Sequence, residues 1–159
     1  MSTQTDSPLY SISTWQGNVI DDYGVLWVVE TEDGWSSSPP VRPTLNEKSA
    51  GDGAWSGPGF YASRVINLTG KAYVPSQVEM LRAKDRIKAA VNPRTALQLR
   101  VDELHLSRVA TVRMSDRVDL QDHGAHAFTW ALTLVAADHR RYSPDTVTVS
   151  TTLPTTLTV

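Results

Sequence analysis

The chain has 159 residues, a formal net charge of −2 and no cysteine. Its length is that of one domain, long enough to bury roughly two-thirds of the unfolded surface. The missing cysteine excludes disulfides, thiolate metal sites and a cysteine nucleophile. The mixed charges show no basic cluster typical of nucleic-acid readers, and no apolar run approaches the roughly 20 residues of a membrane span. We expect a soluble protein without a signal peptide, folded in a reducing compartment.

Most of the chain alternates between apolar and polar residues, which is typical of half-buried strands. The segment VLWVVE at 25–30 is apolar at both alternating positions and predicts a strand covered on both faces. Residues 34–59 are rich in glycine and proline and predict a long irregular excursion with one short strand near VRPTL. Residues 60–74 predict a long regular strand whose alternation is broken at Arg64 and Val65.

The next segment is helical. Residues 76–91 start with Ser76 and place Glu79 three positions later, which is the pattern of a capping box. The sequence NP ends the segment at 92–93, because proline cannot continue a helix. The predicted buried stripe has helical spacing and consists of Met80, Ala83, Ile87 and Ala90.

Strands resume after the helix. Residues 95–101 alternate, and residues 127–137 place large apolar side chains on one side, as in a sheet that packs on a second layer. These patterns predict a mainly β (α+β) fold: an antiparallel β-sandwich with one amphipathic helix and a projecting hairpin or long loop. We expect this domain to span 1–144, and the threonine-rich residues 145–159 to form an arm or a linker to a second domain.

The sequence favours no catalytic or metal site. Four histidines are present, but their spacing, including HGAH at 123–126, matches no metal motif. Ser56 in AWSGPGF does not meet the G-x-S-x-G pattern of a nucleophile elbow. We therefore expect no enzyme, metal or cofactor, and a binding or assembly protein instead. A carbohydrate-binding sandwich is the alternative, and it requires Trp15, Trp35 and Trp55 to align on one face.

The ordered segments DGWSSSPPVR, GDGAWSGPGFYASRVINLTGKAYVPS, VEMLRAKDRIKAAV and LVAADHRRYS resemble phage tail proteins. The likeness is to the N-terminal, ring-forming domain of distal tail proteins, also called minor tail proteins, of siphophages that infect actinobacteria. It covers roughly residues 25–145. The resemblance implies a structural virion protein at the tail tip, assembled in the host cytoplasm.

The same resemblance implies particular partners. Six copies are expected to close into a ring beneath the tail tube, and a long hairpin from each copy reaches its neighbour and forms a belt. The ring would be the baseplate hub: it joins the tail tube and tape measure to receptor-binding proteins, and DNA passes through it in transit. No membrane partner is expected.

The resemblance also implies where in this chain such contacts are to be sought. For the belt, the sequence leaves two alternatives over residues 106–126, a projecting ribbon or ordinary core strands. DNA in transit is expected to pass acidic or neutral groups, because these do not bind phosphate. The candidate channel-lining residues are Glu103, Asp119 and Asp122. The candidate subunit-interface residues are Trp35, Trp55, Phe60, Arg108 and Arg113.

Overall fold

The computed structural model of the protein describes residues 7–145. In that part of the chain, 51% of the residues lie in strands. The strands form mainly antiparallel sheets, and there is a single helix. The predicted β-sandwich with one helix is therefore confirmed. In chain order the elements are β1 Leu9–Ile12, β2 Trp15–Gly17, β3 Val19–Ile20, β4 Leu26–Asp33, β5 Val41–Glu47, β6 Ala54–Tyr61, β7 Arg64–Tyr73, α1 Gln77–Ala90, β8 Leu97–Asp102, β9 Ser107–Met114, β10 Asp119–Asp122 and β11 Ala127–Ala136.

A nine-stranded sheet forms the body of the protein. Its strands follow the order β2-β1-β8-β9-β11-β7-β4-β3, and β10 pairs with β11 beside this path. Strand β9 joins the two layers, because it pairs along β8 but meets β11 only near Arg113 and Met114. Strands β5 and β6 form a separate two-stranded sheet.

Asn18 closes the sandwich on the side opposite β9. It lies between β2 and β3 with a φ of 63°, a left-handed conformation that asparagine tolerates better than most residues. Its side-chain amide donates to the carbonyl of Pro8 at 2.8 Å, and its side-chain oxygen accepts from the amide of Val29 at 2.8 Å. The side chain thus links the start of β1 to β4 across the two layers.

Aromatic side chains fill the centre of the sandwich. Trp15 lies edge-on to Trp130 and to Trp27, with ring centroids 5.0 and 5.8 Å apart, and Trp27 meets Phe128 in the same way at 5.7 Å. Edge-to-face pairs of this kind add to the gain from burying the rings. Every second residue of β11 is buried here, which confirms the pattern expected for 127–137.

The helix also agrees with its prediction. The Ser76 hydroxyl accepts a hydrogen bond from the Glu79 amide at 3.2 Å and so caps the first turn. Beside the buried stripe, Lys84 lies over the Phe128 ring and pairs with Asp122 of β10. The expected stripe is buried and consists of Met80, Ala83, Ile87 and Ala90.

Three strand predictions need correction. The segment 25–30 is covered on one face only, because Leu26 is 37% exposed while Trp27 is buried. The long strand expected over 60–74 is two strands, β6 and β7, separated at residues 62–63. Arg64 does not break the alternation: it occupies the first buried position of β7. The sequence did not mark this boundary, because Phe60 and Ala62 continue the apolar alternation of β7 across it.

The excursion expected at 34–59 is largely a hairpin of two strands, β5 and β6. Of the two alternatives for 106–126, the structure has ordinary strands of the body. Strand β9 pairs with β8 and buries Ala110 and Val112, so the projecting-ribbon alternative is wrong. The threonine-rich arm lies outside the described residues apart from Asp145.

Gly70 lies where β7 approaches an irregularity in β4. A Cβ at this position would lie 1.8 Å from the Val28 carbonyl oxygen and 2.8 Å from the Trp130 ring. We expect Gly70→Ala to lower the free energy of unfolding by at least about 3 kcal/mol, the upper end of typical overpacking costs, because the nearest atom is backbone. Denaturant titration measures this loss.

Gly124 is the matched control for Gly70→Ala. It has a positive φ of 76° and open space around the missing Cβ. Gly124→Ala therefore measures backbone strain alone, about 1 kcal/mol. Equal losses for the two variants would contradict a steric role for Gly70.

Candidate functional site

The hairpin of β5 and β6 is the most distinctive surface feature of the described chain. All residues of both strands are exposed, and the strands pair with each other in a sheet of their own. An isolated two-stranded hairpin is marginally stable in water. This hairpin therefore needs stabilisation from its root or from a partner.

Large apolar side chains lie along this hairpin. Trp55 is 68% exposed, and the remaining exposed ones are Val41, Leu45, Phe60 and Tyr61. Near the tip, Trp55 is opposite Asn46, whereas Leu45 is opposite Ser56 one position along. Because directly opposed residues share a face and neighbours alternate, Trp55 and Leu45 lie on opposite faces of the ribbon. The hairpin therefore offers apolar surface on both sides.

The tip and the middle of the hairpin are shaped by glycine and proline. Gly51 and Gly53 have positive φ values of 101° and 88°, which a tight turn requires and glycine adopts without strain. Lys48 lies over the Trp55 ring, with its ammonium nitrogen 5.1 Å from the ring centroid. Pro43 and Pro58 lack backbone N–H groups, which interrupts the pairing capacity of both strands.

A buried arginine holds the root of the hairpin. Arg64 starts β7 directly after the hairpin, and it is only 4% exposed. Its guanidinium donates to the carbonyl oxygens of Trp35 at 3.0 Å and Ser37 at 2.7 Å, and also to that of Gly34. Its Nε donates to the carbonyl of His139 at 3.2 Å. One side chain thus connects the segment before β5 to the segment after β11.

A second arginine and a glutamate complete this root. Arg141 donates to the Trp35 carbonyl at 2.8 Å, and its guanidinium lies 5.4 Å from the Trp35 ring centroid. The Glu32 carboxylate accepts hydrogen bonds from the amides of Trp35 and Ser36 and from the Ser36 hydroxyl. Burial lowers the pKa of Arg64, and the negative charge of Glu32 opposes that shift. The backbone of residues 34–37 is therefore held by side chains of the body.

The segment after β11 also contacts the hairpin. The ring of His139 stacks on Tyr61 with centroids 5.0 Å apart and an interplanar angle of 27°. Tyr142 and Val109 of β9 exchange two backbone hydrogen bonds of 2.7 and 2.8 Å, which anchor this segment to the sandwich. The hairpin root is thus surrounded by β4, β7 and residues 138–142.

The five candidate interface residues occupy different places. Trp55 and Phe60 lie exposed on the hairpin, whereas Trp35 is 1% exposed and belongs to the core at the root, so we withdraw it from the candidate set. Arg108 and Arg113 both lie on β9 but on opposite sides, since their spacing is odd. Sequence reasoning missed the role of Arg64, although its place in the alternation of β7 marked it as buried.

The three candidate channel residues do not share a face. Asp119 is opposite Ala131 on the outer side of β11, whereas Asp122 pairs with Lys84 of the helix. Glu103 lies in the turn between β8 and β9. The outer face near Asp119 holds a groove of about 570 Å³, whose lining includes Glu30, Thr69, Gln121 and Thr129.

Neither a metal cluster nor an exposed row of tryptophans is found in the described part of the chain. Within residues 7–145, no group of three or more His, Asp or Glu side chains is placed to hold a metal ion. Trp15 and Trp35 are buried, so the three tryptophans considered for sugar stacking do not form an exposed row. No helix in the described part of the chain has the length and apolar character needed to cross a membrane.

No protein-family model and no curated protein sequence matches the chain. Among solved structures it is similar to the SPP1 Dit protein (gp 19.1), described as a paradigm of the hub adsorption apparatus in phages that infect Gram-positive hosts. The TM-score is 0.64 and the identity 16%, and the match covers 87% of this chain and 53% of that one. The chain therefore spans about half the length of this neighbour, and it shares the fold of that half.

Proposed function

We propose that the protein is a structural, non-enzymatic component of a phage tail tip that assembles with copies of itself into a ring of about six. Two lines of reasoning support this proposal. The ordered sequence segments resemble the ring-forming domain of distal tail proteins, and the fold is similar to that of a hub protein of an adsorption apparatus. On this proposal the ring lies in the virion, between the tail tube and the receptor-binding proteins.

The exposed hairpin is the observation on which the proposal depends most. It presents Trp55, Phe60 and other apolar side chains to solvent on a ribbon that no other strand of residues 7–145 covers. Exposed apolar surface of this extent is typical of an interaction site, and aromatic anchors supply much of the energy of interfaces. In a ring, the hairpin of one copy would meet a different surface of the next copy, since cyclic interfaces of this kind are heterologous.

The proposed ring also has a lumen through which DNA passes. We place Asp119 in its lining, together with Glu30, on the outer face of β4, β7, β11 and β10. This face is suitable because it presents threonine and alanine beside these acids, and its cations are paired with them: Lys71 with Glu30 at 3.4 Å and Arg117 with Asp119 at 2.9 Å. Such a surface repels phosphate or does not attract it. Glu103 remains a candidate, whereas Asp122 lies opposite the buried Phe128, pairs with Lys84 of the helix and so belongs to another face. A basic lumen would contradict this assignment.

The proposal is tested first by the mass of the purified chain in light scattering, followed by negative-stain imaging. We expect a closed ring of about six copies. A monomer at every accessible concentration, alone and with tail-tube protein, would contradict ring formation. Binding of that monomer to a glycan array would instead favour the carbohydrate-binding alternative.

A single substitution examines the hairpin contact. We expect Trp55→Ala to weaken the association of subunits by about 30-fold, as for an aromatic hot spot, because its exposed ring would be covered by the next copy. The melting temperature of the dissociated chain should stay the same, since Trp55 contacts little of its own body. Unchanged assembly with a strongly destabilised monomer would contradict this expectation.

A further inference from the structure

We propose that Arg64 is a positioning residue that fixes the direction of the hairpin before any partner binds. This inference rests on the proposed function for its purpose, because a hairpin that meets a neighbouring copy must leave the body at a set angle. The contacts that hold the hairpin lie at its root and do not depend on ring formation.

The first step is geometric. Only short segments connect the hairpin to the body: residues 34–40 before β5 and residues 62–63 after β6. The two segments are joined to each other by the Ala62 amide, which donates to the Pro40 carbonyl at 2.7 Å. Whatever holds residues 34–37 therefore sets the direction of both strands.

The second step is chemical. A planar guanidinium presents several N–H donors in a fixed arrangement, and the donors of Arg64 meet backbone carbonyls on both sides. Those carbonyls belong to residues 34–37 and to His139. Because Arg64 is only 4% exposed, water competes little for these bonds. The hairpin is therefore held against the body and does not swing freely.

A fixed direction of the hairpin strengthens the binding of a partner. A freely swinging hairpin would be in the binding direction for only a fraction of the time, and the apparent dissociation constant would rise by the inverse of that fraction. Fixing the root removes this loss before binding. The His139–Tyr61 stack and Arg141 extend the same contact to residues 138–142, so this segment and the hairpin are held together.

Pulsed electron-spin distance measurement tests the inference directly, and the absence of cysteine makes the labelling clean. One spin label is placed at the tip through Asp52→Cys and the other on the helix through Asp85→Cys, whose native side chain is 76% exposed. Labelled chain is diluted with an excess of unlabelled chain, so that distances between subunits do not contribute. We expect a single narrow distance distribution for the parent and one at least about twice as broad for Arg64→Gln.

The matched control is the substitution of another arginine. Arg113→Gln removes an exposed arginine whose carbonyl contact, to Arg94, is long at 3.4 Å, and it should leave the distribution narrow. A broad distribution in the parent, or a narrow one in folded Arg64→Gln, would overturn the inference. If Arg64→Gln does not fold, Arg64→Lys takes its place, because a single ammonium group keeps the charge but cannot reproduce the planar set of donors that meets carbonyls on both sides. An unchanged width in folded Arg64→Lys would overturn the inference equally.

The measurement keeps this inference separate from the proposed function. It reports on the hairpin of a single chain. A distance distribution that is narrow in the parent and broad in Arg64→Gln, in a chain that never forms rings, would support the role of Arg64 and contradict ring formation. If Arg64→Gln broadens the distance distribution but forms rings with unaltered affinity, ring formation is supported. The idea that a fixed hairpin direction strengthens association is then contradicted.

Discussion

Trp35→Ala is expected to lower the free energy of unfolding by about 3–5 kcal/mol, the usual cost of removing a large buried aromatic side chain. Trp35 is 1% exposed and packs under Arg141 at the hairpin root. The truncation leaves a cavity and also removes the ring on which the Arg141 guanidinium lies. Chemical denaturation monitored by far-ultraviolet circular dichroism measures the loss.

The chain contains its own comparison for this variant. Trp55 is the same residue type, 68% exposed on the hairpin, and Trp55→Ala should change the free energy of unfolding by no more than about 0.5 kcal/mol. Trp35→Phe keeps most of the ring and should show less than half of the loss seen with alanine. Equal losses at positions 35 and 55 would contradict the different burial of the two side chains.

Deletion of the hairpin is expected to abolish self-association and leave the sandwich folded. The design follows from the root: Pro40 and Ala62 are hydrogen-bonded, so a short glycine turn can join them in place of residues 41–61. The deleted strands are exposed along their whole length, so the core loses almost none of its contacts. We expect a monomer by light scattering with a melting temperature within a few degrees of the parent, as for a change of about 1 kcal/mol.

A second variant separates the hairpin from apolar surface in general. The helix exposes Val78 and Leu81, at 57% and 61%, away from the hairpin root. Replacing both with serine removes a similar kind of surface and should leave association intact. Rings that persist without the hairpin, or are lost in this helix variant, would show that another surface joins the copies.

The stability of the fold and the association of subunits are expected to depend on different regions of the protein. Stability comes from the aromatic interior, where the tryptophans of β2, β4 and β11 meet edge to face. Association is expected to come from the hairpin, which contributes little to the interior. The free-energy changes caused by substitutions in the two regions should therefore be additive, because the two regions share few contacts.

Much of the body could be predicted from the sequence, because its signals are local. The helix was identified by its cap at Ser76 and its apolar spacing, and strand β11 by strict alternation. In both cases one face is buried and the other is not, so the period of the sequence reports the geometry directly. The fold class follows from the same patterns.

The position of the hairpin could not be predicted, because neither of its faces is buried by any other part of residues 7–145. Without a buried face, strands β5 and β6 show no alternation, and their glycines and prolines resemble those of a loop. The structure also reassigned Trp35 from surface to core, since burial depends on what Arg64 and Arg141 place around it and not on its neighbours in the sequence.

The sequence by itself determined the β-sandwich class, the single helix with its buried stripe, and the resemblance to ring-forming tail proteins. Tertiary structure alone decided that β9 belongs to the body, that residues 41–61 form the exposed hairpin, and that a buried arginine holds its root. The physical reason is range. Caps and periodicity act over a few residues, whereas the Arg64 contact joins positions 64 and 139 and exists only after the sheets have formed.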